Sequence, residues 1–216
     1  MKNSSRKTAE REARRRYIVD AARGLLAEKG ISDISMDDIA AAAEYTRRTL
    51  YAYFNSRDDI WLRILLEEMK RRWEVQSQAL AGIDGGLARI TTFAETQYAF
   101  WKENPHSMLV EQYWDFHGID RDRVSAGIFV EFEELNNELA AALRKMFRDG
   151  IEDGSLRTDL HVDACISQFL YAHRAVLGRA LSSSYSFSDL DPDLYVRHYL
   201  DQYRRSICSE TWRIDS

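Results

Sequence analysis

SMDDIAAAAEYTRRTLYAYFNSR, from Ser35 to Arg57, packs three helix starts into one short span. Ser35 followed by Asp38 is a capping box, a hydroxyl and an acid placed to satisfy each other's backbone N–H groups. It opens a short helix over Met36–Ala43, with Ile39, Ala40 and Ala43 on its buried side. Glu44-Tyr45-Thr46 forms a tight connection, and Thr46 caps the next helix, Arg47 to about Phe54. By spacing, Leu50 and Phe54 face inward. Ser56-Arg57-Asp58-Asp59 repeats the capping signature and starts a long helix reaching about Leu80. Upstream, Ile18, Ala21, Ala22, Leu25 and Leu26 fall on one face of a helix over Tyr17–Lys29. Gly30 follows where a left-handed cap is expected. Two short helices joined by three or four residues form a helix-turn-helix, whose second helix enters the major groove of DNA.

Beyond Arg57 every periodic stretch is helical. Asp84 is placed to cap a helix to Lys102, and Asn104-Pro105 starts a short aromatic helix over 105–117. A long helix over 122–150 stops at Gly150, and residues 151–154 make a turn. A helix over 161–182, a serine-rich loop over 182–188 and a last helix opened by Asp191-Pro192 complete the chain. Two prolines and ten thinly spread glycines, against 45% hydrophobic residues, favour long helices over strands and turns. The expected fold is all-α. A three-helix head occupies residues 1–56, and a larger helical bundle occupies 57–216, with the 57–80 helix coupling them mechanically.

The net charge of −5 conceals a division. Residues 1–57 carry 12 Lys/Arg against 8 Asp/Glu, whereas the remainder carries 18 against 27. A basic head on an acidic body fits a protein that meets a polyanion only with its head, although a charged N-terminal tail is equally often solvated. No stretch is long and apolar enough to span a membrane, and the basic start runs into more charge rather than an apolar core, unlike a signal peptide. Cys165 and Cys208 have no metal-type spacing, so a reduced, cytoplasmic protein is expected. His106, His117, His161, His173 and His198 are too scattered for a metal site. His173, in an apolar stretch, reads as a satisfied core or interface residue. There is no phosphate-cradling glycine loop and no nucleophile elbow, so neither an enzyme nor a cofactor is expected.

Ile18-Val19-Asp20-Ala21-Ala22, Leu25-Leu26-Ala27-Glu28-Lys29-Gly30, Asp38-Ile39-Ala40 and Thr49-Leu50-Tyr51-Ala52-Tyr53-Phe54-Asn55-Ser56-Arg57-Asp58 together resemble the N-terminal domain of the TetR family of bacterial regulators. Asp149-Gly150-Ile151-Glu152-Asp153-Gly154-Ser155-Leu156 resembles a turn between long helices in the family's C-terminal domains. The resemblance implies a homodimer that binds double-stranded operator DNA and carries a small-molecule pocket in its body, with ligand moving the heads apart. Two positions depart from the pattern. Glu44 stands where glycine is common in the turn, and Arg48 replaces a frequent small residue at the start of the recognition helix.

Each candidate side chain has two readings. Arg47 and Arg48 open the recognition helix, where arginine pairs with guanine O6 and N7 or only neutralises phosphate. By resemblance, Thr49 and Tyr51 match positions that meet DNA, Tyr51 through phosphate, and Arg57 matches a backbone-contacting base or is a solvated helix-start charge. Tyr53 is either core or DNA contact. Ser35 presents a hydroxyl and a helix N-terminus that suit a phosphate. Arg6, Lys7, Arg11 and Arg14-Arg15-Arg16 lie along phosphates, reach a minor groove, or form a solvated arm. In the body, Trp101, Met108, Tyr113, Trp114, His117, Phe132 and Phe169 are either core or the lining of an apolar pocket for an aromatic or planar effector. Small residues and tyrosines on the last two helices suit a four-helix dimer interface. A DNA-binding adaptor whose body contacts a protein partner fits the same head.

Overall fold

The computed structural model describes residues 2–26, 28–181 and 191–209, with side chains from Arg6 onward. The expected serine-rich loop over 182–188 lies outside the described residues. Among the described residues the regular elements are helices: α1 (Lys2–Leu25), α2 (Met36–Ala42), α3 (Arg47–Tyr51), α4 (Arg57–Leu80), α5 (Gly86–Glu103), α6 (Pro105–His117), α7 (Ala126–Glu152), α8 (Val162–Leu181) and α9 (Pro192–Ile207). Single 3-10 turns occupy Ile31–Asp33 and Arg121–Arg123. The all-α expectation is correct.

Packing divides the chain into two compact units. One holds the residues up to Met69 together with Leu109–Glu133, the other Lys70–Met108 with Glu134 onward. The first unit is built on Ile18, Ala22, Ile39, Leu50, Phe54 and Trp61, all essentially inaccessible to solvent. Arg23 clasps α1 to α4 through Glu67 at 2.7 Å and Glu68 at 3.3 Å. The turn between α2 and α3 closes as a Schellman motif. Tyr45 N–H donates to Ala40 O at 2.9 Å and Glu44 N–H to Ala41 O at 3.1 Å. That geometry places Glu44 at φ 55°, the one positive-φ non-glycine residue among those described.

Several boundaries differ from the sequence reading. Helix α1 begins at Lys2 rather than Tyr17, because Arg, Lys, Glu and Ala sustain a helix without an apolar stripe and Arg6 pairs with Glu10 one turn on at 2.9 Å. Gly30 is not a left-handed cap; it is extended at φ −62° and precedes the Ile31–Asp33 turn. Helix α3 is shorter than expected, although Phe54 N–H still donates to Leu50 O at 2.9 Å and continues the turn. Helix α7 starts at Ala126 and runs through Gly150 to Glu152.

Gly150 does not stop α7; it admits α5. A Cβ on Gly86 would lie 2.1 Å from the Gly150 nitrogen, so the two backbones touch in the second unit. Asp84 does not cap α5. The residues 153–155 turn does, with Gly86 N–H donating to Asp153 Oδ2 at 2.7 Å and Leu87 N–H to the Ser155 hydroxyl at 3.3 Å. Above this junction Phe93, Leu143, Phe147 and Phe169 form the core of the second unit.

Glu44 is exposed and its left-handed conformation is strained for a residue with a Cβ. Glu44→Gly is expected to raise unfolding stability by about 1 kcal/mol in chemical denaturation; an unchanged or lower midpoint would show that the turn carries no strain.

Candidate DNA-binding site

The site begins with caps. Ser35 N–H donates to Asp38 Oδ2 at 2.8 Å while Asp38 N–H donates to Ser35 Oγ at 3.1 Å, so both limbs of the expected capping box are present. The Thr46 hydroxyl accepts from Thr49 N–H at 3.1 Å and starts α3 in the same way. Ser56 caps α4, accepting from Asp59 N–H at 3.1 Å, while its hydroxyl donates to the Arg123 carbonyl. Three short connections are thus held by side chains that the sequence places at helix starts.

Helix α3 divides cleanly. Leu50 is buried, with Phe54 beside it in the following turn, whereas Arg47, Arg48 and Tyr51 point to solvent. Arg47 is tethered, donating to Asp37 Oδ2 at 3.0 Å and to the Tyr51 hydroxyl at 3.5 Å. Arg48 makes no hydrogen bond or ion pair among the described residues. Thr49 shares a 2.8 Å hydrogen bond with the Thr46 hydroxyl. The exposed, uncommitted donors of this helix are therefore concentrated at Arg48.

Other candidates have structural duties. The Ser35 hydroxyl donates to Asp38 Oδ2 at 2.5 Å, so its proton is committed within the cap. Arg57 is not a solvated charge: its Nη1 donates to the Ser32 and Ile34 carbonyls at 3.1 and 3.0 Å, and its Nη2 to the Tyr113 hydroxyl at 3.4 Å. It clamps the α1–α2 connection to α4. Tyr53 is half-buried beneath the N-terminal helix, with its hydroxyl accepting from Arg14 at 3.2 Å and Arg11 over its ring at 5.3 Å.

The role of the N-terminal bases was missed from sequence. Arg11 also donates to the Ala52 carbonyl at 2.8 Å, and Arg15 lies over the Phe54 ring at 4.8 Å. Arg11, Arg14, Arg15, Ile18 and Ala22 share one face of α1, at the same helical spacing as the core. That continuity was the available signal. These arginines brace the end of α3 rather than form a detached arm.

The aromatic candidates fall into separate groups. Tyr113 stacks on His117 at 4.3 Å and meets Trp114 edge-on at 5.3 Å within the first unit, where Phe132 packs near Phe129 at 6.3 Å. Trp101 and Met108 belong to the second unit, clustered with Phe100, Leu177 and Val196. Phe169 lies in that unit's main core against Phe93 and Tyr203. No group of His, Cys, Asp or Glu among the described residues could hold a metal ion. No helix among them is long and apolar enough to cross a membrane.

Residues 18–64, which contain the capped α2–turn–α3 arrangement, match the family model described as bacterial regulatory proteins, tetR family. That match assigns the head to the TetR family. The chain is 26% identical over 159 residues to the HTH-type transcriptional repressor KstR2 of Rhodococcus jostii, covering 72% of this chain and 74% of that one. Its fold is similar to that of a bacterial regulatory protein of the tetR family from Rhodococcus, with a TM-score of 0.69 at 17% identity over 91% of this chain and 98% of the other. FadR of Bacillus subtilis, solved in complex with stearoyl-CoA, aligns with a TM-score of 0.67 at 16% identity over 87% of this chain and 96% of that one. The curated relatives that the chain matches are transcriptional regulators.

The cap at α2 is sensitive to acid. Hydrogen bonding from Lys29, at 2.6 Å, and then from the Ser35 hydroxyl and N–H holds the Asp38 carboxyl well below its ordinary value of 3.8. A depressed carboxylate contributes stability that is complete above the unfolded-state value and is lost as pH falls through the folded one. The thermal midpoint of Asp38→Asn is therefore expected below that of the native chain at pH 7 and pH 5, with the gap shrinking below about pH 4. A gap independent of pH would remove Asp38 ionisation from the cap.

Proposed function

We propose that this regulator is a repressor that binds operator DNA through residues 1–56 and is released by a small apolar or aromatic effector held in residues 57–216. The observation that carries the reading is the outer face of α3, where Arg48 has no partner among the described residues beside the tethered Arg47 and the exposed Tyr51. A bidentate arginine at the start of a recognition helix reads guanine, whereas Tyr51 and Thr49 serve the phosphates, as do Ser35, Tyr53 and Arg57 where their internal bonds allow. In a gel-shift assay Arg48→Ala is expected to cost about 1–3 kcal/mol and to relax base preference at one position per half-site. Arg47→Ala costs less, because Asp37 already competes for its guanidinium. Unchanged affinity in the double variant would remove α3 from the DNA interface.

The effector reading draws on the aromatic content of the body. Trp101, Met108 and Phe169 in one unit, and Tyr113, Trp114, His117 and Phe132 in the other, supply planar apolar surface with few polar tips. Structurally similar regulators have been solved with stearoyl-CoA and with choline, which supports a small-molecule body of this kind. The exposed Phe116, at 85% of its full accessibility, favours a second reading in which the body docks a protein partner. A thermal-shift screen of metabolites separates the two, since an effector raises the midpoint by mass action and its absence leaves the partner reading.

The last two helices fit a homodimer. Ala164, Tyr171, Ala172 and Ala175 line an outer face of α8, and Leu194, Tyr195 and His198 line one of α9. Small residues let facing helices approach closely while the tyrosines and leucine supply buried area. Ala172→Arg, at an exposed position, is expected to yield a folded monomer in analytical ultracentrifugation with weakened operator binding; a dimer that persists would place the interface elsewhere.

A further inference from the structure

The core of the second unit is stacked in three levels that can be read along three helices. Helix α5 contributes Phe93, Gln97 and Trp101, α8 contributes Phe169, His173 and Leu177, and α9 contributes Tyr203, Tyr199 and Val196, each one helical turn apart. The outer levels are apolar and closed. Phe169 lies 6.2 Å from Phe93 and 4.9 Å from Tyr203, while Trp101, Leu177 and Val196 share one cluster. The middle level is polar on all three helices at once. His173 stacks on Phe169 at 4.9 Å and on Tyr199 at 5.9 Å.

That middle level is not satisfied. Both ring nitrogens of His173 and Oε1 of Gln97 are buried without a hydrogen-bond partner, as is the Tyr199 hydroxyl. His173 is wholly inaccessible and Gln97 nearly so. The Ala94 backbone, one turn from Gln97 on α5, lies against the imidazole and partly opposes the fall in its pKa. Buried polar groups in a folded core are normally paired, and each one left open is costly. Helical spacing thus puts one such group at the same level on each of three packed helices.

We infer that this polar level is the anchoring point for the effector, and that it takes a flat apolar molecule carrying an uncharged hydroxyl or carbonyl oxygen. This rests on the effector reading above and names the ligand chemistry. Burial, with Arg72 and Arg174 nearby, drives the His173 value down to about 3, so the ring is neutral and presents one donor and one acceptor. A ligand hydroxyl accepts from the imidazole N–H and donates its one proton to Gln97 Oε1, whereas a carbonyl oxygen accepts from the N–H alone. The stacked rings of Phe169, His173 and Tyr199 favour a planar body. An open cleft of about 450 Å³ lies beside this core between α5 and α9; Val196 and Leu200 belong both to its wall and to the core, whereas His173, Gln97 and Tyr199 do not line it.

The test uses two probes of one shape, 2-naphthol and naphthalene, with the full-length chain in calorimetry and thermal-shift measurements. The native chain is expected to bind 2-naphthol about tenfold tighter than naphthalene. His173→Phe keeps the stack and removes the nitrogens, and Gln97→Leu provides a second, independent loss of polarity; each is expected to shrink that preference to about twofold or less. Equal affinities in the native chain, as a level satisfied by ordered water would give, overturn the inference. So does a preference that survives both substitutions, or binding of neither probe. Operator binding by the native chain is measured separately in a gel shift, and its failure bears on the regulator reading alone.

Discussion

A recognition helix of five residues cannot hold itself. Nucleating a helix fixes several residues for one hydrogen bond, and isolated helices of this length do not persist in water. Helix α3 exists because Leu50 is inserted in the core, Phe54 closes the turn behind it, and Thr46 caps its start. The same constraint runs through the first unit. Helix α2 depends on the Ser35–Asp38 box, and the start of α4 depends on Ser56 and on Asp59, which also accepts from the Ser125 N–H and hydroxyl at 2.9 Å. The outward side chains of α3 inherit their direction from these buried anchors, so the chemistry offered to DNA is a consequence of packing.

Electrostatics then sorts the bases of the head into braces and free donors. Arg11, Arg14, Arg15, Arg23 and Arg57 are all engaged with protein groups, and Arg47 is shared with Asp37. The exposed ion pair of Arg47 with Asp37 contributes little stability, but it sets side-chain direction and competes with phosphate. Binding DNA therefore exchanges some internal contacts for external ones. Arg48 has no such internal contact among the described residues.

The head was legible because its signals are local. Capping boxes, the inward spacing of Leu50 and Phe54, and the left-handed Glu44 all depend on residues within a few positions of one another. What failed was also physical. The reach of α1 to Lys2 was invisible to apolar periodicity, because that stretch is stabilised by propensity and by arginines packing on Tyr53 and Phe54. Gly150 reads as a helix stop from its own neighbourhood, yet it serves Gly86, far away in sequence, and only the fold joins them. Arg57 likewise reads as a surface charge until the carbonyls of Ser32 and Ile34 close around it.

The body illustrates a different limit. An aromatic stripe at helical spacing reads as core, and Phe93, Trp101 and Phe169 are core. The informative feature is the polar residue that interrupts the stripe on each of three helices at the same level. Taken singly, Gln97, His173 and Tyr199 are unremarkable substitutions in amphipathic helices, and His173 alone reads as satisfied. Only their convergence shows that polar atoms have been gathered where water is excluded and then left open. A core selected for stability alone would fill that level with leucine or phenylalanine, since matching apolar groups cost less than half-paired polar ones. Retaining the defect trades stability for a place where a guest can be told apart by a single oxygen.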